Sequence, residues 1–328
     1  MSEAPAAGTG SSCAVCQRPF AQPFLSLSGL PVLCNASWPT REEARLAPRG
    51  DIALAFCPAC GMIANTAFDE HLVTYTPAYE NSLHFSPSFQ HFATELAARL
   101  ATTYGLAGGS VLEIGCGKGE FLSLLCDTAG CSGTGYDPTF EGTTPEGAPY
   151  TVEPNLFPSA PDDLRTDLVV CRQVLEHLDD PRAVLRTLRT ALGPSSTTPA
   201  YLEVPDGHYM FAAPALWDVI YEHPWYYSAP SLEFLLEVTG FEVIGTRSTF
   251  GGQYLSAEAR PAPMARTDLG SRAEPVAMVV EAAATFGRRF REAVDRWSGE
   301  LAERAAGGDV VVLWGAGSKG ATFLNVVP

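Results

Sequence analysis

The chain has 328 residues, carries a formal net charge of −16 and is 46% hydrophobic. This length is enough for about two domains with buried cores. The acidic balance opposes binding to nucleic acid or to anionic membranes, because both require clustered positive charge. No apolar run approaches the roughly 18 residues of a membrane span, and the start of the chain lacks the features of a signal peptide. We therefore expect a cytoplasmic protein with a disordered tail over residues 1–11 and with no nucleic-acid or membrane partner.

Two CxxC pairs, "CAVC" and "CPAC", stand in the first, loop-rich part of the chain. They supply Cys13, Cys16, Cys57 and Cys60, and four thiolates can bind Zn²⁺ tetrahedrally. Metal can replace the core that so short a segment cannot build, so residues 12–70 are predicted to form a zinc-binding domain. The zinc is expected to be structural, because four cysteines leave no open coordination position. Redox or idle thiols are the alternative.

Residues 71–258 alternate strand-like apolar runs with helical stretches, the pattern of a parallel α/β sheet. The predicted strands are "GSVLEIG", "GTGYD", "DLVVCRQ", "AYLEVP" and "FEVIGT". A linker is expected over 259–274. Apolar residues at steps of three and four then predict one amphipathic helix over 275–304.

The last segment reads "DVVVLWGAGSKGATFLNVV", which predicts a strand, a glycine turn and the start of a helix. A single βα half-unit cannot close a sheet, so residues 275–328 are interpreted as the start of a truncated C-terminal α/β domain.

A glycine-rich turn follows the first of these strands in "VLEIGCGKGEF". Glu113, Gly115, Gly117 and Gly119 alternate there, and glycine lets the backbone turn tightly and approach a ligand. Asp137 ends the next strand, 22 residues after Gly115. This pattern resembles motif I of class I S-adenosylmethionine-dependent methyltransferases. The resemblance implies their Rossmann-like sheet, with S-adenosylmethionine held at the glycine turn and its ribose by Asp137.

The strand "DLVVCRQ" and the following "VLEHL" resemble the region after motif III of the same enzymes. Glu176 and His177 are expected to open a helix beneath the ligand crevice, at the carboxyl ends of the strands. The same resemblance implies that Gln173 binds the cofactor. His177 either holds the loop, touches the cofactor or takes part in the chemistry.

The order of motifs resembles the nucleotide-sugar C-methyltransferases of deoxysugar biosynthesis over nearly the whole chain. The resemblance is carried by the four cysteines, "YTPAYENSLHFSPSFQHF", "YLEVPD", "YEHPWYYSAPSLEFLLEVTGFEV" and "LWGAGSKGATFLN". It implies an enzyme that methylates a sugar carbon beside a ketone, with a nucleoside-diphosphate keto-sugar, expected to carry thymidine, as substrate. A monomer is favoured, although the sequence does not determine the oligomeric state. It also implies that Tyr75 and Ser82 reach the cofactor.

That chemistry requires a base to remove a proton from carbon and a donor to stabilise the enolate oxygen. His223 is assigned as the base, Glu222 as the group that orients it and Tyr221 as the oxyanion donor. The family places a tyrosine two positions before the glutamate, where this chain has Ile220, so Tyr79 or Tyr75 is the alternative phenol. His223 could instead be a histidine satisfied inside an aromatic loop, and Trp225–Tyr227 are expected to be pocket wall or core.

Three other functions remain open on the sequence. One is an O- or N-methyltransferase that acts on another natural-product intermediate. Another is an RNA methyltransferase, because some of those carry a four-cysteine module, but the net charge of −16 opposes it. The last is a non-catalytic methyltransferase-like protein that binds its ligand without turnover.

Overall fold

The computed structural model describes residues 12–34, 36, 38–74, 82–157, 164–211, 216–266, 273–315 and 317–328. The expected tail over residues 1–11 lies outside these ranges. The strands are β1 (Leu25–Pro31), β2 (Arg49–Phe56), β3 (Ile63–Asn65), β4 (Ser110–Ile114), β5 (Ser132–Tyr136), β6 (Tyr150–Glu153), β7 (Leu168–Arg172), β8 (Ala200–Pro205), β9 (Trp225–Tyr226), β10 (Phe241–Thr249) and β11 (Tyr254–Pro261). The α-helices are α1 (Arg41–Leu46), α2 (Pro87–Tyr104), α3 (Glu120–Ala129), α4 (Pro181–Ala191), α5 (Gly207–Phe211), α6 (Ala229–Val238), α7 (Ala273–Ala306) and α8 (Ser318–Val326).

A seven-stranded sheet forms the centre of the fold, in the order β10-β11-β8-β7-β4-β5-β6. The strands from β8 to β6 are parallel to one another, and β11 runs antiparallel to both of its neighbours. All five strands that were predicted within residues 71–258 are present. This confirms the predicted α/β fold with a mostly parallel sheet.

Both faces of the central sheet are buried, which explains the continuous apolar runs of its middle strands. Side chains alternate between two cores along β4. Val111 packs with helices α2 and α3 on one face, whereas Leu112 and Ile114 pack with α4 and α6 on the other. The carboxyl ends of β4, β5, β7 and β8 therefore meet at one edge between these two layers of helices.

Two strands of the central sheet are not predicted by the sequence. β11 includes residues 259–261, which were expected to begin a linker, so that boundary is wrong. Its sequence "YLSAEARP" lacks the apolar β-branched residues that mark a strand. The strand forms because it fills the space between β8 and β10, pairing Tyr254 with Pro205 and Phe241 with Pro261. The other, β6, is a four-residue edge strand.

A second, antiparallel sheet is built from β1, β2, β3 and β9. Three of its strands come from the cysteine-rich segment, but β9 comes from the segment 219–228 of the larger domain. Ile63 pairs with Tyr226, and Ala64 pairs with Trp225. The predicted boundary at residue 70 therefore separates the chain in sequence but not in space.

The long helix α7 confirms the helix predicted over 275–304 and packs on the second sheet through Phe286 and Phe290. At Gly287 a Cβ atom would lie 2.1 Å from the Phe24 carbonyl oxygen, so glycine permits the close approach of helix and loop. None of the described helices combines the length and hydropathy required to cross a membrane.

The end of the chain differs in part from the prediction. Helix α8 follows the glycine turn as expected, and Thr322 Oγ1 donates to the Val219 carbonyl oxygen at 2.8 Å. The strand predicted over 309–314 is wrong, because this run pairs with no strand in the described part of the chain. Its apolar side chains lie exposed instead, with Trp314 99% accessible.

Candidate active site

The glycine turn connects β4 to α3 and uses backbone angles that favour glycine. Gly115, Gly117 and Gly119 have φ values of 71°, 55° and 78°. A Cβ on Gly115 would lie 2.1 Å from Val174 Cγ2, in the loop after β7. The absence of a side chain therefore brings this turn against the loop that carries Glu176 and His177.

Asp137, at the end of β5, is hydrogen-bonded directly to the glycine turn. The Gly117 N–H donates to Asp137 Oδ2 at 2.7 Å, and the Thr139 N–H and Oγ1 donate to Oδ1 at 2.9 and 2.6 Å. The two features that were predicted to hold one cofactor are therefore adjacent. Each carboxylate oxygen can accept more than one hydrogen bond, so these contacts leave room for ribose hydroxyls.

Glu113 lies in β4, next to the glycine turn, and is 3% exposed. Its Oε2 has no hydrogen-bond partner among the described residues. Burial raises the pKa of this carboxyl to about 7, against the opposing effect of the Arg172 charge. A buried carboxyl oxygen without a donor marks a place where a bound ligand can supply one.

The other predicted cofactor residues differ in what the structure shows. Ser82 Oγ donates to Glu120 Oε2 at 2.5 Å, at the first residue of α3, which places Ser82 beside the glycine turn. Gln173 follows β7 with a φ of 56°, and its N–H donates to the Glu203 carbonyl oxygen at 2.7 Å. Tyr75 and Tyr79 lie outside the described residues.

Glu176 and His177 do not open a helix, and that prediction is wrong. They lie in a turn, and α4 begins only at Pro181, where Asp180 caps the helix by accepting from the Ala183 N–H at 3.0 Å. The proline and the cap set the start of the helix, so the preceding residues are left in the loop above the sheet.

The structure brings His177, Glu222 and His223 together from two distant segments. His177 Nδ1 lies 3.0 Å from the Glu222 carbonyl oxygen, and because a carbonyl can only accept, Nδ1 carries the hydrogen. The His177 and His223 rings meet edge to face, with centroids 4.6 Å apart. A carboxylate oxygen of Glu176 also lies within 4.8 Å of a ring nitrogen of each histidine.

The surroundings of the two histidines favour their neutral forms. Burial lowers the pKa of His177 to about 4, partly offset by the hydrogen bond to Glu222. Burial and the nearby His177 lower the pKa of His223 well below its ordinary value. Neutral imidazole is the form that can accept a proton, so both rings are prepared to act as bases at neutral pH.

Glu176 is the third titratable group of this cluster and is 1% exposed. Burial raises the pKa of its carboxyl to about 8. Its Oε2 has no hydrogen-bond partner in the described part of the chain. The carboxyl is therefore largely protonated near neutral pH, beside two neutral imidazoles.

Tyr221 is engaged elsewhere. Its hydroxyl accepts from the Asp69 N–H at 2.9 Å and lies 3.3 Å from the Asp69 carbonyl oxygen. Its ring packs on Phe68 with centroids 5.4 Å apart, and a Cβ on Gly50 would lie 2.1 Å from it. This hydroxyl both accepts from and donates to the Asp69 backbone in the cysteine-rich segment. The geometry therefore does not support Tyr221 as an oxyanion donor.

The aromatic residues after His223 serve packing, as expected. Trp225 Nε1 donates to the Leu178 carbonyl oxygen at 2.6 Å, and the Tyr227 hydroxyl donates to that of Leu175 at 3.0 Å. The Tyr226 hydroxyl accepts from the Ile220 N–H at 3.0 Å and contacts the Ile220 carbonyl oxygen at 2.9 Å. These bonds fix β9 and Tyr227, which directly follow the glutamate–histidine turn.

Arg172, the last residue of β7, and Glu203 of β8 form a buried ion pair to which no role was predicted from sequence. Arg172 Nε and Nη2 both lie 3.0 Å from Glu203 Oε1, and the Tyr201 hydroxyl donates to Oε2 at 2.8 Å. The guanidinium carbon lies 4.2 Å from the centroid of the Phe121 ring. The available signal was a charged residue inside each of two apolar strands, "LVVCR" and "AYLEVP".

The four cysteines form one cluster, as predicted. Cys13 and Cys60 have sulfurs 3.5 Å apart, Cys16 and Cys57 have sulfurs 3.3 Å apart, and all four lie within 4.8 Å of one another. A tetrahedron of thiolates at Zn–S distances of about 2.3 Å has sulfurs about 3.8 Å apart. This donor set fits a structural Zn²⁺. The cluster packs against the core beneath Tyr227.

The strand order with a single reversed strand, together with the glycine turn and the acid at the end of β5, defines the class I methyltransferase fold. Residues 88–246 match the family model described as "Methyltransferase domain". Residues 88–246 therefore have the fold of a class I methyltransferase domain, and the four-cysteine module precedes them in the chain.

A curated relative is the ubiquinone biosynthesis O-methyltransferase of Haemophilus ducreyi. It is 35% identical over 103 residues, which cover 27% of this chain and 43% of the relative. The chain thus spans less than half of the length of that relative.

Solved structures with a similar fold include an S-adenosylmethionine-dependent methyltransferase from Mesorhizobium loti, with 16% identity, a TM-score of 0.41 and coverage of 51% of this chain and 99% of that one. The Burkholderia thailandensis 1,6-didemethyltoxoflavin-N1-methyltransferase has 15% identity, a TM-score of 0.41 and coverage of 54% and 81%. Magnesium protoporphyrin IX methyltransferase from Synechocystis has 18% identity, a TM-score of 0.41 and coverage of 53% and 80%.

Proposed function

We propose that this protein is an S-adenosylmethionine-dependent C-methyltransferase that methylates the carbon next to the ketone of a nucleoside-diphosphate deoxysugar. The observation that carries the proposal is the contact between the glycine turn and the loop after β7. Gly115 has no side chain where Val174 packs, so the predicted cofactor turn adjoins the loop that holds Glu176 and His177. The proposed cofactor and base positions would therefore be neighbours at the carboxyl ends of the strands.

The cofactor end of this site would be formed by the glycine turn, Glu113, Asp137, Ser82 and Gln173. Asp137 would accept hydrogen bonds from ribose hydroxyls, while Glu113 offers a buried oxygen that lacks a donor among the described residues. When bound, S-adenosylmethionine supplies a methyl group on a sulfonium, which makes the methyl carbon electrophilic. The backbone amides of the turn and the start of α3 would orient it.

His223 is proposed to remove the proton from the sugar carbon that becomes the nucleophile. Its lowered pKa keeps the ring neutral, and the ring is steadied by the edge-to-face contact with His177. A ketone beside that carbon allows the negative charge to move onto oxygen as an enolate. His177 and Glu222 would orient the base, because the Glu222 carbonyl oxygen accepts from His177 Nδ1 directly before His223.

The enolate oxygen needs a hydrogen-bond donor. Since the Tyr221 hydroxyl is engaged by Asp69, Tyr79 or Tyr75 is proposed for this role. Zn²⁺ at the four cysteines would be structural. Its ligands are all thiolates, so it would have no open position at which to polarise the ketone.

The test uses S-adenosylmethionine labelled with ¹³C in its methyl group and a panel of thymidine-diphosphate keto-sugars. We expect a product in which the labelled methyl carbon is bonded to a sugar carbon, as read by two-dimensional NMR. The matched variant His223→Gln should bind S-adenosylhomocysteine normally and produce little product. No transfer with any keto-sugar would contradict the proposal.

An O-methyltransferase is the second candidate, because the Haemophilus ducreyi relative is named as an enzyme of that type. The same experiment separates the two functions. A label bonded to oxygen would replace the C-methylation proposal with O-methylation, while leaving the assignment of the cofactor residues intact.

A further inference from the structure

The glutamate–histidine turn is held on both sides by one short turn of the cysteine-rich module. This turn comprises residues 65–69 and begins at Asn65, the last residue of β3. The Asn65 N–H donates to the Pro224 carbonyl oxygen at 2.9 Å, immediately after His223. The Asp69 N–H donates to the Tyr221 hydroxyl at 2.9 Å, immediately before Glu222. Two anchors from one turn thus bracket the pair.

The 65–69 turn is itself fixed to β2 by the side chain of Asn65, which is 4% exposed. Asn65 Oδ1 accepts from the N–H groups of Ala53 and Ala67 at 2.8 and 3.1 Å. Asn65 Nδ2 donates to the Asp51 carbonyl oxygen at 3.2 Å. A buried amide with partners for both of its ends holds a backbone turn in one conformation, because every alternative leaves a polar group unpaired.

The cysteine cluster closes the hairpin that carries this turn. Cys57 follows the last residue of β2, and Cys60 lies three positions before Ile63, the first residue of β3. The Cys57 N–H donates to the Met62 carbonyl oxygen at 2.7 Å, and the Gly61 N–H donates to that of Cys57 at 2.9 Å. A metal bound by both cysteines would therefore fix the spacing and register of β2 and β3, and β3 in turn pairs with β9.

We propose that the 65–69 turn positions Glu222 and His223 for catalysis, with Asn65 and Tyr221 as positioning residues and the four-cysteine metal acting on the site through them. This inference rests on the proposed role of His223 as the base. It assigns the cysteine-rich module a part in the reaction that acts through the position of Glu222 and His223. It also gives Tyr221 a different task from that of an oxyanion donor.

The test is Tyr221→Phe, which removes the hydroxyl anchor and keeps the ring that packs on Phe68. Histidine-labelled protein is compared by NMR, with the His223 signals assigned through His223→Gln. We expect the imidazole signals of His223 to shift or broaden, and kcat to fall about 10–100-fold with little change in KM, because small misplacement of a reacting group is costly. The control is Tyr104→Phe, which removes a hydroxyl that is hydrogen-bonded to Glu258 at the far end of α2.

A direct catalytic role of Tyr221 predicts a different result. Loss of an oxyanion donor would lower kcat while the His223 signals stay in place, and this outcome would overturn the positioning role. Asn65 supplies the second variant pair. Asn65→Asp keeps the acceptor for Ala53 and Ala67, so it should retain more activity and a more native His223 signal than Asn65→Ala. Equal behaviour of the two would also count against the proposal.

The metal is tested with the same NMR readout, so the result does not depend on methyl transfer. Removing the metal with a chelator should disturb the His223 signals in protein that still binds S-adenosylhomocysteine, and adding Zn²⁺ should restore them. Unchanged His223 signals in folded, metal-free protein would refute the link. If instead no keto-sugar is methylated but the His223 signals respond, the proposed function fails, whereas the anchoring of His223 by the 65–69 turn and the metal is supported.

Discussion

The ring of His177 meets the ring of His223 edge to face, with the two centroids 4.6 Å apart. The two residues come from different loops, one after β7 and one before β9. Both histidines are partly buried, and this burial lowers the pKa of each ring, so each resists protonation. Their neutral state near pH 7 is the electrostatic basis for assigning a base to this site.

The low pKa of His223 should extend the activity of the protein to acidic pH. The pKa of His223 is lowered well below 6.5, so the base remains neutral and activity should persist as the pH falls through 6.5. His177→Gln removes one of the causes of the lowered pKa and should move the acid limb to higher pH. The measurement is kcat/KM against pH for both proteins. An acid limb near 6.5 in the unaltered protein would contradict the depressed pKa.

Glu176 should make the free energy of unfolding decrease as the pH rises. Its pKa rises from 4.5 to about 8 on folding, so the folded state holds a proton that the unfolded state releases. The stability that this group contributes is present below pH 4.5 and is lost as the pH rises towards 8, at up to about 1.4 kcal/mol per pH unit. Glu176→Gln mimics the protonated carboxyl and should lack this loss. Urea unfolding at pH 5.5 and 7.5 measures the difference, and an equal effect of the substitution at both pH values would contradict it.

Gly115→Ala should abolish tight cofactor binding. Gly115 has a φ of 71°, and its new Cβ would lie 2.1 Å from Val174 Cγ2, so the turn must move away from the loop after β7. The matched control is Gly130→Ala, with a φ of 64° but nothing within 4 Å of the added atom. Both variants should lose about 1 kcal/mol or more of stability from backbone strain. In calorimetry with S-adenosylhomocysteine, only Gly115→Ala should weaken binding by tenfold or more.

The buried Arg172–Glu203 pair should be sensitive to loss of one partner. Arg172→Met leaves the Glu203 carboxylate buried, with the Tyr201 hydroxyl at 2.8 Å and the Gln173 side-chain amide at 3.4 Å as neutral donors in place of the guanidinium. We expect about 3–5 kcal/mol of destabilisation, because an uncompensated buried charge is costly. The double variant Arg172→Met, Glu203→Gln should recover a substantial part of it. Thermal and urea unfolding check both values, and additive losses would contradict the pairing.

The sequence predicted the fold where local signals coincide with tertiary packing. The apolar runs around Leu112 and Val169, the glycine turn and the two CxxC pairs each carry a short-range pattern with one dominant interpretation. The four cysteines meet because metal-ligand spacing is local within each pair. Strand β11 lacked such a pattern, since its alternation of Ala, Ser and Glu becomes a strand only between two neighbours that supply its hydrogen bonds.

The candidate site was predictable in its residues more than in its contacts. His223 and Asp137 were predicted from motifs. In the structure Asp137 contacts the glycine turn, and His223 contacts His177 in the loop after β7. Tyr221 was assigned to the chemistry, but its hydroxyl partner, Asp69, lies 152 residues earlier in the chain. No local pattern reports a hydrogen bond over that separation. The helix expected at Glu176 failed for a local reason, because Pro181 and its cap set a later start.

The most direct test of His223 as the catalytic base is proton exchange at the substrate carbon. The keto-sugar nucleotide is incubated in D₂O with the protein and S-adenosylhomocysteine, so that deprotonation can occur without methyl transfer. We expect deuterium at the carbon next to the ketone with the unaltered protein, and little or none with His223→Gln, as measured by NMR. Exchange that is undiminished in His223→Gln would contradict the assignment of His223 as the base.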